Sequence, residues 1–181
     1  MSRSEPPPVV GIAGWKSSGK TTLVVRLVEE FARRGLRVAT VKHAHHTVSL
    51  DDSGTDSARH RQAGAVQTAL ISPGRTIVVA DLGADREPDL ADVLTMLGPC
   101  DLIIVEGYKS APIPKVEVRR LQAATREPLA DTDANIIAIA ADHAVARASV
   151  PVFELDDIAA IAEHIAGVLT LAGVASESKG A

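Results

Sequence analysis

Residues 11–22 read GIAGWKSSGKTT and stand between a short apolar run and a helical pattern. The stretch combines glycines, which permit unusual backbone angles, with lysines and hydroxyl side chains. Within it, the order Gly14-x-x-x-x-Gly19-Lys20-Thr21 fits the phosphate-binding pattern G-x-x-x-x-G-K-[ST] without a mismatch. Such a match arises by chance in about one chain in a hundred of this length.

The neighbouring segments agree with a phosphate-binding loop. A buried strand is predicted over residues 9–13 and a helix over residues 20–34, so the helix N-terminus would face the bound phosphates. Lys20 would reach the β- and γ-phosphates, and the Thr21 hydroxyl would bind Mg²⁺. A plain glycine turn is the alternative, although Ser or Asp alone would cap a helix. The residues expected to line the nucleotide are Gly14, Trp15, Lys16, Ser17, Ser18, Gly19, Lys20, Thr21 and Thr22.

The rest of the chain alternates apolar runs with helical patterns, which predicts an α/β fold of three layers with a mostly parallel sheet flanked by helices. With the loop at the end of its first strand, this is a P-loop NTPase fold. Further strands are predicted at 37–41, 66–71, 76–80, 102–105, 115–119, 135–140 and 150–154, and further helices at 56–63, 90–97 and 158–171. We expect one nucleotide-binding domain over residues 9–172, with flexible termini at 1–8 and 173–181.

Composition excludes several classes of protein. The net charge of −4 argues against a protein that binds nucleic acid through bulk electrostatics. No apolar run approaches the length of a membrane span, and the first residues have no apolar signal region. The single cysteine, Cys100, cannot form an internal disulfide. We therefore expect a cytoplasmic protein that binds neither nucleic acid nor membrane.

A site for Mg²⁺ and nucleotide also needs an acid at the carboxyl edge of the sheet. Asp81 and Glu106 both follow predicted strands. Glu106 is favoured because its strand is wholly apolar, hence central, and because Gly107 permits close approach to a phosphate. Asp101 is set aside because it begins the same strand, about 16 Å away at the other edge.

Four blocks of sequence, in this order, resemble one known family. They are GWKSSGKTTL at 14–23, TVKHAHH at 40–46, DDSGTDSARHRQAGA at 51–65 and VEGYKSAPIPKVEV at 105–118. The family is that of molybdopterin-guanine dinucleotide biosynthesis protein B (MobB), and the similarity runs from about residue 9 to about residue 142.

The resemblance implies a homodimer that binds GTP with Mg²⁺ and hydrolyses it weakly. It also implies an accessory role for a guanylyltransferase that attaches GMP to molybdopterin. Molybdopterin itself is then a candidate ligand.

Other residues fit such a site on position and charge. Asp56 follows the second strand, where an acid can contact Mg²⁺ or the attacking water; capping residues 57–63 is the alternative role. Lys42 lies where that strand ends, at the ligand edge, and either contacts phosphate or is simply solvated. Lys115 and Arg119 alternate on one strand, so both could face a cleft, but by themselves they are interpreted as surface charge.

Preference for guanine rests mainly on the resemblance, because the N-K-x-D pattern of many GTPases is absent. Asp142, just past a buried strand, is the candidate base reader, since a carboxylate can accept from both N1–H and the N2 amino group of guanine. A role as a helix cap or turn acid is the alternative.

Lys16 and Trp15 are unusual in such a loop. Some dimeric P-loop ATPases place a second lysine here that reaches the partner's nucleotide, but directly after the first glycine, where this chain has Trp15. Lys16 therefore reaches a phosphate, contacts a dimer partner or is solvated. Trp15 is a core anchor, a base-stacking face or an interface contact.

Three other functions remain open, and one of them is a bare binding module in which hydrolysis is incidental. A small-molecule P-loop kinase would need a base beside an acceptor hydroxyl, and usually a lid. A nucleotide-dependent metal chaperone would use His43, His45 and His46, although no fourth ligand is evident and a polar loop is the simpler interpretation.

Overall fold

A computed structural model describes residues 6–44, 55–80, 82–83, 87–123, 125 and 127–171. The chain forms two compact units, one made of residues 1–43 and 93–181 and the other of residues 44–92. The expected single domain over residues 9–172 stays a prediction.

The first unit contains six strands and helices α1 and α4, and helix α3 (Leu90–Thr95) spans the boundary between the units. The strands are β1 (Val9–Ala13), β2 (Val38–Lys42), β5 (Leu102–Glu106), β6 (Lys115–Arg119), β7 (Ile136–Ala141) and β8 (Val152–Glu154). Helix α1 spans Lys20–Arg33 and helix α4 spans Ile158–Val168. None of the helices within the described residues is long and apolar enough to cross a bilayer.

The six strands form one sheet in the order β2-β5-β1-β6-β7-β8, and each described pairing is parallel. Strand β1 is central because it is buried between β5 and β6, with Ile12 opposite Glu106 on one side and Val116 on the other. Since the strands run the same way, their carboxyl ends meet at one edge. The predicted parallel α/β fold is confirmed.

Helices α1 and α4 cover one face of this sheet. Spacings of three and four residues put the apolar side chains of α1 on one side, and Leu23, Leu27 and Phe31 are fully buried there. They pack in one core with Ile161 and Ile165 of α4 and with alternate residues of the strands. The site at the sheet edge therefore rests on a rigid apolar base.

The second unit differs from the prediction. Its helix α2 (Asp56–Gln62) was expected, but β3 (Gln67–Ser72) and β4 (Arg75–Ala80) pair with each other in a separate antiparallel sheet. The turn Ser72-Pro73-Gly74 makes a hairpin, which returns the chain at once and cannot supply a parallel strand. The alternative acid Asp81 lies outside the described residues.

Lys115 is buried, so its interpretation as surface charge was wrong. Its ammonium donates to the carbonyl oxygen of Ala111 at 2.6 Å and pairs with Asp133 at 2.8 Å, while its side chain is 1% exposed. The stem lies against Gly11 of β1, where a Cβ atom would come within 2.7 Å of the Lys115 Cγ. The alternating pattern of β6 gave its length correctly but could not show that its other face is covered.

Replacement of Asp133 by Asn should destabilise the protein by about 3 kcal/mol at pH 7, because it leaves the buried Lys115 ammonium without a counter-charge. Partial burial alone would raise the pKa of Asp133, but hydrogen bonds from Lys115 and Asn135 hold it below its ordinary value. A carboxyl with a depressed pKa stabilises the fold above the pKa it has when unfolded, about 4, and loses that effect as pH falls through the folded value. Denaturant unfolding should therefore show a difference at pH 7 that shrinks below pH 4.

Asp131 provides the matched control, since it lies two residues away and is exposed. Asp131→Asn should leave the unfolding midpoint unchanged. Equal effects of the two substitutions would contradict the role given to the buried pair.

Candidate functional site

The phosphate-binding loop, residues 14–19, connects β1 to α1 at the carboxyl edge of the sheet. Gly14 has φ +148°, and a Cβ atom there would lie 2.6 Å from the Ser18 Oγ and 2.7 Å from the Val118 carbonyl oxygen. Gly19 has φ +94° and begins α1 without a side-chain cap. The backbone N–H groups of the first helical turn thus remain available to an anion.

Thr21 and Glu106, the two expected Mg²⁺ ligands, lie together. The Thr21 hydroxyl donates to the Glu106 Oε1 at 2.7 Å. Strand β5 carries Glu106 at its last residue, beside β1, which explains why acid and hydroxyl meet although 85 positions separate them. A hydroxyl and a carboxylate oxygen are ligands suited to Mg²⁺.

Lys20 turns back onto its own loop, where its ammonium donates to the Trp15 carbonyl oxygen at 2.8 Å. Burial lowers the pKa of Lys20 from its ordinary value, and the nearby ammonium groups of Lys109 and Lys42 lower it further. Glu106 acts in the opposite direction. Three lysines therefore share one electropositive region at the sheet edge.

Lys42, at the end of β2, lies beside the Thr21–Glu106 pair. Its ammonium is 3.5 Å from the Glu106 Oε1 and 3.5 Å from the Thr21 Oγ1. The side chain is 60% exposed, so the ammonium can move toward an arriving phosphate. Its position agrees with the expectation of a cation at the ligand edge.

Trp15 anchors the phosphate loop to the segment after β6. The indole N–H donates to the Glu127 carbonyl oxygen at 2.7 Å, and the Lys109 ammonium lies 3.9 Å from the ring centroid. The sequence analysis did not propose Lys109, three residues after Glu106, as a residue of the site. A lysine so soon after a strand-end acid and glycine was the only indication of it.

The tip of the loop points outward. Lys16 and Ser17 are exposed, and Thr22 is exposed at the start of α1. Ser17 adopts φ +64°, whereas Ser18 is buried and its hydroxyl has no hydrogen-bond partner among the described residues. Lys16 forms no ion pair with a described residue, so the alternatives for it stay open.

Gly107 and His43 join the ends of β5 and β2. Gly107 has φ +100°, and a Cβ atom there would lie 2.7 Å from the His43 Cβ. The His43 ring stacks on Tyr108 with centroids 4.6 Å apart. The described residues contain no group of His, Cys, Asp and Glu that could hold a metal ion, and His45 and His46 lie outside them. His43 packs here as an aromatic ring.

Arg119 is also not simple surface charge. Its guanidinium donates to Glu117 at 2.8 Å, and Glu117 is 1% exposed. The same carboxylate accepts the backbone N–H groups of Leu129 and Ala130, both at 2.9 Å. An acid inside β6 thus fixes the segment that covers this face of the sheet. The sequence analysis missed Glu117 because an alternating strand does not show which face is covered.

Asp142 lies just past β7, as expected, with its side chain about one-third exposed. Its Oδ1 accepts the Leu121 N–H at 3.0 Å and lies 2.9 Å from the His143 ring nitrogen. The hydrogen bond with His143 is the main reason that the pKa of Asp142 lies below its ordinary value. The carboxylate therefore bridges the ends of β6 and β7.

Asp56 belongs to the second unit, which is described by itself. It is the first residue of α2, is 90% exposed and lies 3.5 Å from Arg59. Thr55 caps the helix instead, because its hydroxyl accepts from the Ala58 N–H at 3.3 Å. The alternative capping role for Asp56 was therefore wrong, and its role toward water or metal stays a prediction. Asp52 and Gly54 of the same block lie outside the described residues.

A glycine-bounded loop that joins the central strand of a parallel sheet to a helix, with a Thr–Glu pair beside it, defines the P-loop class of nucleotide-binding folds. The profile of the family described as molybdopterin guanine dinucleotide synthesis protein B, MobB, matches residues 9–142. The chain belongs to this family.

Relatives and solved structures agree with this assignment. The molybdopterin-guanine dinucleotide biosynthesis adapter protein of Escherichia coli is 32% identical over 160 residues, which cover 87% of this chain and 91% of that protein. The adapter protein of the same name from Haemophilus influenzae is 34% identical over 136 residues, 75% of each chain. The crystal structure of Bacillus subtilis MobB superposes with a TM-score of 0.69 at 30% identity, covering 91% of this chain and 97% of that one.

Substitution of Gly14 by Ala should destabilise the protein by about 2 kcal/mol, since it combines a strained φ with contacts that leave no room for a methyl group. Denaturant unfolding measures the effect. Gly98→Ala is the control because nothing lies within 4 Å of a Cβ atom there and its φ is not positive. If both variants unfolded at the same denaturant concentration, the described loop geometry would be wrong.

Proposed function

We propose that this protein binds GTP with Mg²⁺ at residues 14–22 and hydrolyses it slowly to GDP and phosphate. In this proposal it acts in the cytoplasm as a homodimeric accessory protein of a molybdopterin guanylyltransferase. Family membership supports the biosynthetic role, and the relatives from E. coli and H. influenzae are named adapter proteins of molybdopterin-guanine dinucleotide biosynthesis.

The observation that carries the nucleotide site is the Thr21–Glu106 hydrogen bond next to an uncapped helix N-terminus. The two groups suit a divalent cation, and the open N–H groups suit the phosphates that such a cation accompanies. Bound Mg²⁺ would supply the charge that offsets the β- and γ-phosphates.

The lysines of the site divide the remaining work. Lys20 would exchange the Trp15 carbonyl oxygen for phosphate oxygens, because a charge-assisted hydrogen bond is stronger than one to a neutral carbonyl. Lys42 would move from Glu106 toward the terminal phosphate. Gly107 brings backbone to the same edge without a side chain in the way.

Guanine selection is assigned to Asp142. Its carboxylate lies beyond β7, on the β6 side of the phosphate loop, while Thr21 and Glu106 lie on the β5 side. A carboxylate accepts from the N1–H and N2 amino group of guanine, whereas adenine offers no such pair.

Lys16 and Asp56 complete the proposed catalytic set. The exposed position of Lys16 leaves it able to reach its own nucleotide or, in a homodimer, the partner's. Asp56 is exposed on α2 and is proposed to contact Mg²⁺ or the attacking water. Weak hydrolysis fits an accessory protein that uses nucleotide binding more than turnover.

Mg²⁺ should increase the affinity for GTP in the unaltered protein. Replacement of Glu106 by Gln should make this increase about tenfold smaller, because the amide keeps the shape of the side chain but not its charge. Titration calorimetry with and without Mg²⁺ measures this gain. Asp101→Asn, at the opposite end of the same strand and paired with Arg37, is the control and should behave as the unaltered protein. If the Glu106→Gln protein kept the full effect of Mg²⁺ on GTP affinity, Glu106 would not be the metal ligand.

The adapter role is tested with a purified molybdopterin guanylyltransferase. We expect the tagged protein to retain the transferase more strongly with GTP than without, and to increase formation of molybdopterin guanine dinucleotide. Lys20→Ala should lose the GTP-dependent part of both effects, because its phosphate loop lacks the cation. Equal retention and stimulation by Lys20→Ala would separate the adapter role from nucleotide binding.

A further inference from the structure

A cleft opens on the β6 side of the phosphate loop. Trp15 and Ser18 of the loop form one wall, and Arg119 and Arg120 at the end of β6 form another. His143, after β7, closes one end. The Thr21–Glu106 pair lies on the other side of β1, so the cleft is separate from the proposed metal position.

Three buried polar atoms in the walls of this cleft have no hydrogen-bond partner among the described residues. They are the Ser18 Oγ, the Arg119 Nε and the Arg120 Nε. Buried polar groups are almost always paired, because an unmet donor costs about 1–3 kcal/mol. Their concentration in one cleft indicates a ligand that supplies acceptor atoms.

Arg120 is the least satisfied of these side chains. Arg119 has Glu117 as its ion-pair partner, whereas no described residue forms a hydrogen bond or ion pair with the Arg120 guanidinium. A guanidinium is permanently charged and carries five N–H donors in a planar fork. The ligand that would satisfy it must present two neighbouring acceptors.

Arg120 is also held between the phosphate loop and Asp142. A Cβ atom on Gly19 would lie 2.8 Å from the Arg120 Nε and 3.0 Å from its Cζ, so the guanidinium rests directly on the loop backbone. The next residue, Leu121, donates its N–H to Asp142, and the charge of Arg120 contributes to the lowered pKa of that carboxyl. A base contacting Asp142 therefore comes close to Arg120.

Guanine matches this pair of charges. Its O6 and N7 are adjacent acceptors, which suit the planar fork of an arginine, while its N1–H and N2 amino group are donors, which suit a carboxylate. Adenine has an N6 amino donor in place of O6, and that donor would face the guanidinium. Two neighbouring edges of guanine thus complement Arg120 and Asp142.

We propose that Arg120 is a specificity-determining residue of the nucleotide site and donates to O6 and N7 of guanine while Asp142 accepts from N1–H and N2. The proposal rests on the proposed binding of GTP. It adds a second residue that reads the base, which no signature in the sequence marks. It also explains why Arg120 lies against the phosphate loop without a hydrogen-bond partner among the described residues.

The test compares GTP with 7-deaza-GTP, in which a C–H group replaces N7. Titration calorimetry in Mg²⁺ should show that the unaltered protein binds 7-deaza-GTP about tenfold more weakly than GTP. The fluorescence of Trp15 gives a second readout, since it is the only tryptophan and forms a wall of the cleft. Neither readout depends on hydrolysis.

Arg120→Met should bind GTP and 7-deaza-GTP with nearly equal affinity, because Met fills similar space without a donor. The fold should tolerate it, since an apolar side chain replaces a buried donor, the Arg120 Nε, that has no partner in the described part of the chain. Arg120→Lys keeps the charge but not the fork, so it should restore only part of the tenfold ratio. Arg37→Met, at the opposite edge of the sheet, is the matched control and should keep the full ratio.

Two results would overturn the assignment of Arg120. One is equal affinity of the unaltered protein for GTP and 7-deaza-GTP. The other is an Arg120→Met protein that binds GTP, 7-deaza-GTP and ATP more weakly by one common factor, which is the result expected for a phosphate contact or a purely structural role. Failure of the unaltered protein to bind any of the three would instead remove the proposed nucleotide site.

Discussion

The parallel placement of β1 between β5 and β6 is the constraint on which the site depends. Because residues 10–13 of β1 are buried and the strand is paired on both sides, its carboxyl end is fixed, and the phosphate loop must leave the sheet at that point. The same register sets Ile12 opposite Glu106 and Ala13 opposite Glu117. One carboxylate therefore lies on each side of the loop. The pairing of the strands sets both positions before any ligand binds.

The two sides have different chemistry because their carboxylates have different partners. Glu106 is partly exposed, and it meets a hydroxyl and a largely exposed ammonium. Glu117 is inside the protein and meets two backbone N–H groups and a guanidinium. The Glu106 carboxylate can exchange its partners. The Glu117 carboxylate already has its hydrogen bonds and holds the covering segment in place. A single strand thus separates the proposed base-recognition surface from the proposed metal position.

Local sequence pattern predicted most of the parallel sheet and the centre of the candidate site. The bounds of β1 and β6 agree with the structure, because apolar runs with clear flanking signals specify buried strands. The sequence also singled out Thr21 and Glu106, which the structure brings into contact, and their role as Mg²⁺ ligands stays a prediction. The sequence did not predict that β3 and β4 form a separate sheet, because the pattern of a strand does not show which strand it pairs with. The sequence did not reveal the surroundings of Lys115, Glu117 and Arg120 for a related reason. These surroundings depend on segments that fold over β6, and the periodicity of a strand does not show which segments cover it.

The position of Lys42 would couple the binding of Mg²⁺ at the proposed site to the binding of a triphosphate. Its ammonium lies 3.5 Å from Glu106, so a divalent ion that bound as proposed would displace this ammonium from the carboxylate. The displaced ammonium would gain a new partner only if a triphosphate were bound as well. In the proposed site, metal and triphosphate would then be positively linked, each raising the affinity for the other by the same factor. A chelator should accordingly shift the whole nucleotide-binding isotherm, and nucleotide should retain the ion against the chelator.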